Sequence, residues 1–279
     1  MRRSVIALSL CLLPAAVQAQ DLFPIVSDYE KSVGLPAAFD ILGIPLLAKP
    51  QDVDGLLDQA KYTVVSYEEG RGLGDGRGNE VSFNYGRNLT LLNAKGSGFD
   101  KVQVHFSSNL TGNRVYSIHR NFVFDKEVAT PDLVKAFTEK FGAPSYEGIA
   151  YGSYLMGWTY ANGALAVSNI DEYQKHGSLE SSEGGKTVYR CEAATLDISG
   201  TGVVGYSFIQ NRENKHAGCN GGIKIEMDVG ARDDLARGVR MLVWDYDLAF
   251  QDLTAQDQFM LRALEEVISG KEGGELPKL

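Results

Sequence analysis

The chain has 279 residues, 44% of them hydrophobic and 23% charged, with a formal net charge of −9. That length and apolar content allow one large domain or two small ones with a real core. The acidic balance argues against wrapping nucleic acid or lying on anionic lipid, which need basic patches. The acids are dispersed, so no acidic interaction tail is expected.

Arg2 and Arg3 precede an apolar run from Val5 to Leu13, and Val17-Gln18-Ala19 places small residues at −3 and −1 before Gln20. These are the three parts of a removable export signal, which predicts cleavage after residue 19. The run is too short to span a bilayer, which takes about 20 helical residues. Leu10, before Cys11, is too large for a lipoprotein anchor site. No later segment reads as transmembrane, so a soluble chain in the periplasm or beyond it is expected. After cleavage Cys191 and Cys219 are the two cysteines left. In an oxidising compartment the pair reads as a disulfide. The rival reading, metal or redox thiols, lacks a Cys-x-x-Cys spacing.

Residues 21–49 mix apolar and turn signals and are read as irregular. A short helix is expected from Pro50 to Ala60, with Pro50 in its first turn, Asp52 near its positive end, and Val53, Leu56 and Leu57 on one face. Tyr62 to Tyr67 is β-prone, and Val81, Phe83 and Tyr85 alternate with polar residues. The glycine run from Gly70 to Gly78 between them reads as a mobile hairpin loop. Val102, Val104 and Phe106 alternate again, Asn109 to Asn113 forms a turn, and Val115 to Phe124 is a long strand. Thr130 is expected to cap a helix with Pro131 first, a stripe of Leu133, Phe137 and Phe141, and a stop at Gly142 and Pro144. Tyr154–Ala161 and Ala164–Ser168 flank Asn162-Gly163, a strong hairpin signal. The polar, glycine- and serine-rich residues 171–186 read as a loop. Strands follow at Thr187–Ile198, Val203–Gln210, Ile223–Val229 and Val239–Tyr246. Ile223, Ile225, Met227 and Val229 oppose Lys224, Glu226 and Asp228, so one face of that strand should be buried. Thr254-Ala-Gln-Asp257 resembles a capping box and is expected to open a last helix carrying Leu261, Leu264, Val267 and Ile268.

Strands in runs rather than singly between helices predict an α+β fold with antiparallel sheets and a few packed helices. Two tandem helix-then-strands units are an option. The expected division is a signal peptide at 1–19, a first α+β unit at 20–170, a loop at 171–186 and a second, disulfide-containing unit at 187–279. One continuous domain is the alternative.

The constellations that could carry chemistry are sparse. Gly184-Gly185-Lys186-Thr187 resembles the end of a phosphate-binding loop, but Glu180 replaces the required glycine and a strand follows. The glycine run offers calcium only Asp75. His105 and His119 lie on strands expected to pair, and are read as two solvent-facing side chains without a third zinc ligand. Asp245 and Asp247, two apart on an expected strand, would share a face about 7 Å apart, a glycosidase-like separation. The stripes of Tyr154, Trp158 and Tyr160 and of Trp244 and Tyr246 could stack on sugars, but read first as core. Asn88-Leu-Thr90 and Asn109-Leu-Thr111 are sequons. No catalytic residue, metal ligand or cofactor is expected.

Three segments carry a family resemblance: Asp40-Ile-Leu-Gly-Ile-Pro-Leu46, Val115-Tyr-Ser-Ile-His-Arg120 and Lys135-Ala-Phe-Thr-Glu-Lys-Phe-Gly-Ala-Pro144. The first two resemble uncharacterised exported proteobacterial proteins. The last is similar to the helix, Phe-Gly-x-Pro, strand unit of small outer-membrane lipoproteins of the SmpA/OmlA type. That resemblance, over residues 40–160, implies a helix-plus-sheet fold and a non-catalytic role in envelope assembly. The lipid-bearing cysteine of those proteins is absent here. The function expected is therefore a non-catalytic periplasmic binding or envelope-assembly protein, with an envelope protein as partner. The alternatives are a glycan hydrolase using Asp245 and Asp247, and a secreted enzyme inhibitor.

Overall fold

The computed structural model describes residues 35, 39–57, 62–93, 99–166, 170–171, 202–205, 219–229 and 234–272. The signal peptide, the 172–186 segment with its lysine-bearing glycine pair, and Cys191 lie outside the described residues. So does the side chain of Cys219, and with it the disulfide.

A two-stranded ribbon comes first, β1 (Asp40–Ile41) and β2 (Ile44–Pro45), where irregular chain was expected. The Asp40 carboxylate closes its turn by accepting the Gly43 N–H at 3.0 Å. Helix α1 (Pro50–Leu56) begins where Lys49 N–H donates to Asp52 at 3.1 Å. It stops short of Ala60, because Leu57 is already extended. Gly55 inside so short a helix weakens its propagation.

Strands β3 (Tyr62–Gly74) and β4 (Glu80–Asn93) form a long hairpin. The expected glycine loop is mostly strand, and only residues 75–79 turn. Asp75 makes that turn by accepting the N–H groups of Arg77 and Asn79 at 2.7 and 3.1 Å. Arg71 and Leu73, set between the glycines, are buried and hold this stretch in the sheet. Strands β5 (Asp100–Phe106) and β6 (Val115–Ala129) follow, joined through a 3-10 turn at Asn109–Thr111.

Helix α2 (Thr130–Phe141) starts one residue earlier than expected and without a side-chain cap. Thr130 is drawn into the sheet end instead, its N–H donating to the Asp234 carbonyl at 2.9 Å. Next come β7 (Tyr146–Ala150), β8 (Ser153–Ala161) and β9 (Ala164–Leu165). Asn162 and Gly163 turn the β8–β9 hairpin with φ of 52° and 78°, as a type I′ turn requires. The last elements are β10 (Gly202–Gly205), β11 (Cys219–Asp228), β12 (Leu235–Asp245) and α3 (Tyr246–Glu272).

Apart from β1 and β2, the described strands join one sheet in the order β10-β3-β4-β5-β6-β12-β11-β8-β7, with β9 added beside β8. Every pairing is antiparallel except β10 on β3. The fold is α+β. Inside β10 on one edge, β3-β4-β5-β6, and from the other edge β7-β8-β11-β12, converge on the central β6–β12 ladder, each set preceded by a helix.

Side chains alternate across the sheet, so the registers assign two faces. One carries Leu89, Val104, Ile118, Val243, Ile223 and Trp158 in a single cross-strand row. That face packs under Phe39, Ile41, Ile44, Val53 and the α2 stripe of Leu133, Phe137 and Phe141. Trp158 is fully buried there, its indole N–H donating to the Gly142 carbonyl at 3.0 Å. The other face is covered at one end by α3, through Leu73, Phe83, Tyr116, Leu253 and Leu264.

Helix α3 begins eight residues before the expected Thr254 start. Its cap is Asp245, which accepts the Leu248 N–H at 2.9 Å. Thr254 lies inside the helix and bonds back to the Phe250 carbonyl at 2.8 Å. Asp257 instead meets the buried Arg71 at 3.4 Å, and Asp252 accepts from Ser108 and Thr111. These acids fasten the helix to the sheet rather than start it.

Candidate functional site: the open sheet face

Beyond the end covered by α3, no described helix packs on the second sheet face over β5, β6, β12 and β11, and this is called the open face below. Two adjacent rows cross it. One runs Gln103, His119, Leu242, Lys224, and the other Lys101, Asn121, Arg240, Glu226. Together they line a pocket of about 300 Å³. Glu226 is the one acid of these rows, and Arg240 takes it up at 2.6 Å while Ser153 Oγ donates to it at 3.1 Å. Lys101, Lys224 and Arg240 outnumber the one acid of these rows, in a chain whose net charge is −9.

The same face carries unusual apolar exposure. Val65, Leu92, Phe99 and Val123 are 48%, 38%, 48% and 42% exposed. Register puts Val65, Leu92 and Val123 on the side of Lys101 and Asn121. Phe99 extends that side, because its carbonyl accepts the Val123 N–H at 2.8 Å and so continues the β5–β6 ladder. Four apolar side chains beside three cations form a mixed patch. Scattered single apolar residues are ordinary on a surface, whereas a contiguous group is a signature of contact.

His105 and His119 sit on this face as diagonal neighbours, their rings 5.3 Å apart. They are not solvent-facing as expected. Burial, with the nearby charges of His119 and Lys101, pushes His105 down to about 3. Burial brings His119 down to about 4. Both are neutral at pH 7. Among the described residues no group of three or more His, Cys, Asp or Glu could share a metal ion.

Asp245 and Asp247 do not share a strand face. The strand ends at Asp245, which is fully buried as the α3 cap, and Asp247 lies in the first turn of α3, accepting from Asn220 Nδ2 at 3.0 Å. The carboxylate pair expected from the sequence therefore dissolves into a helix cap and a tie to the start of β11. Trp244 and Tyr246 are buried against Ala161, as core rather than as a sugar platform.

The open face escapes the sequence reading, yet a signal for it exists. Val64-Val65, Leu91-Leu92 and Phe122-Val123-Phe124 are apolar neighbours within strands. Neighbours point opposite ways, so with Leu91 in the core Leu92 must face out. Among the described residues, no helix is long and apolar enough to cross a membrane. Comparison with family models, with curated proteins and with solved structures found no match.

Proposed function

We propose that the chain is an exported, non-catalytic binding or assembly protein of the bacterial envelope, which docks a protein partner on the open face of its sheet. The observation that carries this reading is the cluster of exposed Val65, Leu92, Phe99 and Val123 beside Lys101, Lys224 and Arg240. Protein contacts combine such apolar centres with charged surroundings. The export signal at residues 1–19 and the Cys191–Cys219 pairing supply the address, and the SmpA/OmlA resemblance agrees with an accessory role. A hydrolase reading draws no support from Asp245 and Asp247, which are held by the fold.

The test is native co-purification of the tagged chain from the cell that exports it. Leu92→Asp with Val123→Asp should lose the partner, while Leu56→Asp on the exposed face of α1 should keep it. Equal recovery by both variants would contradict the proposal.

A further inference from the structure

The charges of the open face define the chemistry of what it takes, an inference that rests on the docking role proposed above. We infer that the partner presents an acidic segment, whose carboxylates settle at Lys101 and Lys224 and whose apolar side chain lies between them over Leu242. Lys101 and Lys224 stand on β5 and β11, with β6 and β12 between them. Three interstrand steps and the two-residue stagger between their rows set them about 16 Å apart, which the long lysine side chains bridge to residues i and i+4 of an extended chain, about 13 Å apart. Leu242, half-buried in the row between His119 and Lys224, meets residue i+2 of such a segment.

The floor of the pocket suits an acid. Neutral His119 can donate an N–H, Gln103 and Asn121 carry amide donors, and Glu226 is already occupied by Arg240. The Lys101 side chain makes neither an ion pair nor a hydrogen bond among the described residues. A carboxylate brought here gains charge-assisted hydrogen bonds without displacing an existing partner of Lys101. A free phosphate would leave the half-buried Leu242 between the lysines unused. A lipid surface would meet a chain that is acidic overall.

The full mature chain can be titrated with a capped peptide Gly-Glu-Thr-Leu-Thr-Glu-Gly while amide shifts are followed by NMR. Shifts should gather at Lys101, Gln103, His119, Asn121 and Lys224, and weaken with salt. Lys101→Glu with Lys224→Glu should bind roughly tenfold less tightly and should instead take the Lys-for-Glu version of the peptide. Lys101→Gln, a milder change, guards against misfolding and should fall between. Equal binding of the Gln-for-Glu peptide on this face would overturn the acidic inference while leaving the docking role standing. Absence of any shift on this face would overturn the inference, and joined to unchanged co-purification by the Leu92→Asp, Val123→Asp chain would remove both. Binding to phosphatidylglycerol vesicles in preference to the acidic peptide would overturn it as well.

Discussion

His105 and His119 show how one pair of side chains ties the sheet face to pH. Each has an unfolded value near 6.5 and a depressed folded value, about 3 and about 4, because burial disfavours the imidazolium. A depressed folded value means the unfolded chain binds protons first as pH falls. Their contribution is therefore complete above pH 6.5 and is lost as pH drops towards 4. At most each histidine adds about 1.4 kcal/mol per pH unit to the slope. Wild-type stability should fall between pH 6.5 and 4.5, and His105→Gln with His119→Gln should flatten that part of the profile in urea titrations. An unchanged slope would contradict the assignment. In the sequence both histidines look like surface groups, because alternation gives the side of the strand but not what covers it.

At the scale of elements, α3 shows where local signals mislead. Asp245-Tyr-Asp-Leu-Ala-Phe reads as a strand running into a turn, since Trp244 and Tyr246 are β-prone and Asp245 follows a clear alternation. The competing signal, Asp245 three residues before Leu248, is a cap that becomes visible only with the Leu248 N–H in place. Thr254 and Asp257 match a capping box by type, yet their partners are Phe250 and Arg71. Asp252 is the stronger fastening. It is buried, which raises its carboxyl, while hydrogen bonds from Ser108, Thr111 and Gln256 oppose that rise. Asp252→Ala should strip the 107–113 turn of its acceptor and cost roughly 3 kcal/mol, because buried donors would be left unmade. Denaturant unfolding measures this directly, and a loss below about 1 kcal/mol would argue against the fastening role. By contrast α2 was largely legible, since its Leu133, Phe137, Phe141 stripe and Gly142 stop are decided within the helix itself.

For the whole molecule, the alternation of Ile223, Ile225 and Met227 announces a half-covered sheet, and apart from β10 on β3 the sheet is antiparallel as expected. What the chain does not spell out is the meeting of β6 with β12, more than a hundred residues apart, which makes one sheet of both halves. Register across that ladder is what gathers Lys101, Asn121, Arg240 and Lys224 onto a common face. No local pattern contains that information, because each strand contributes one or two residues and only the ladder sets their order. The apolar doublets were present in the sequence, but their outward members become a patch only when β3 to β6 are laid side by side.

The most direct measurement is site-specific photocrosslinking in the native cell. A photoreactive residue at Asn121 on the open face is compared with one at Lys135 on the outer side of α2, which is 76% exposed. A discrete crosslinked protein from Asn121, absent from Lys135 and lost with Lys101→Glu, is the predicted result. Crosslinks of equal yield and identity from both positions would contradict a docking role for the open sheet face.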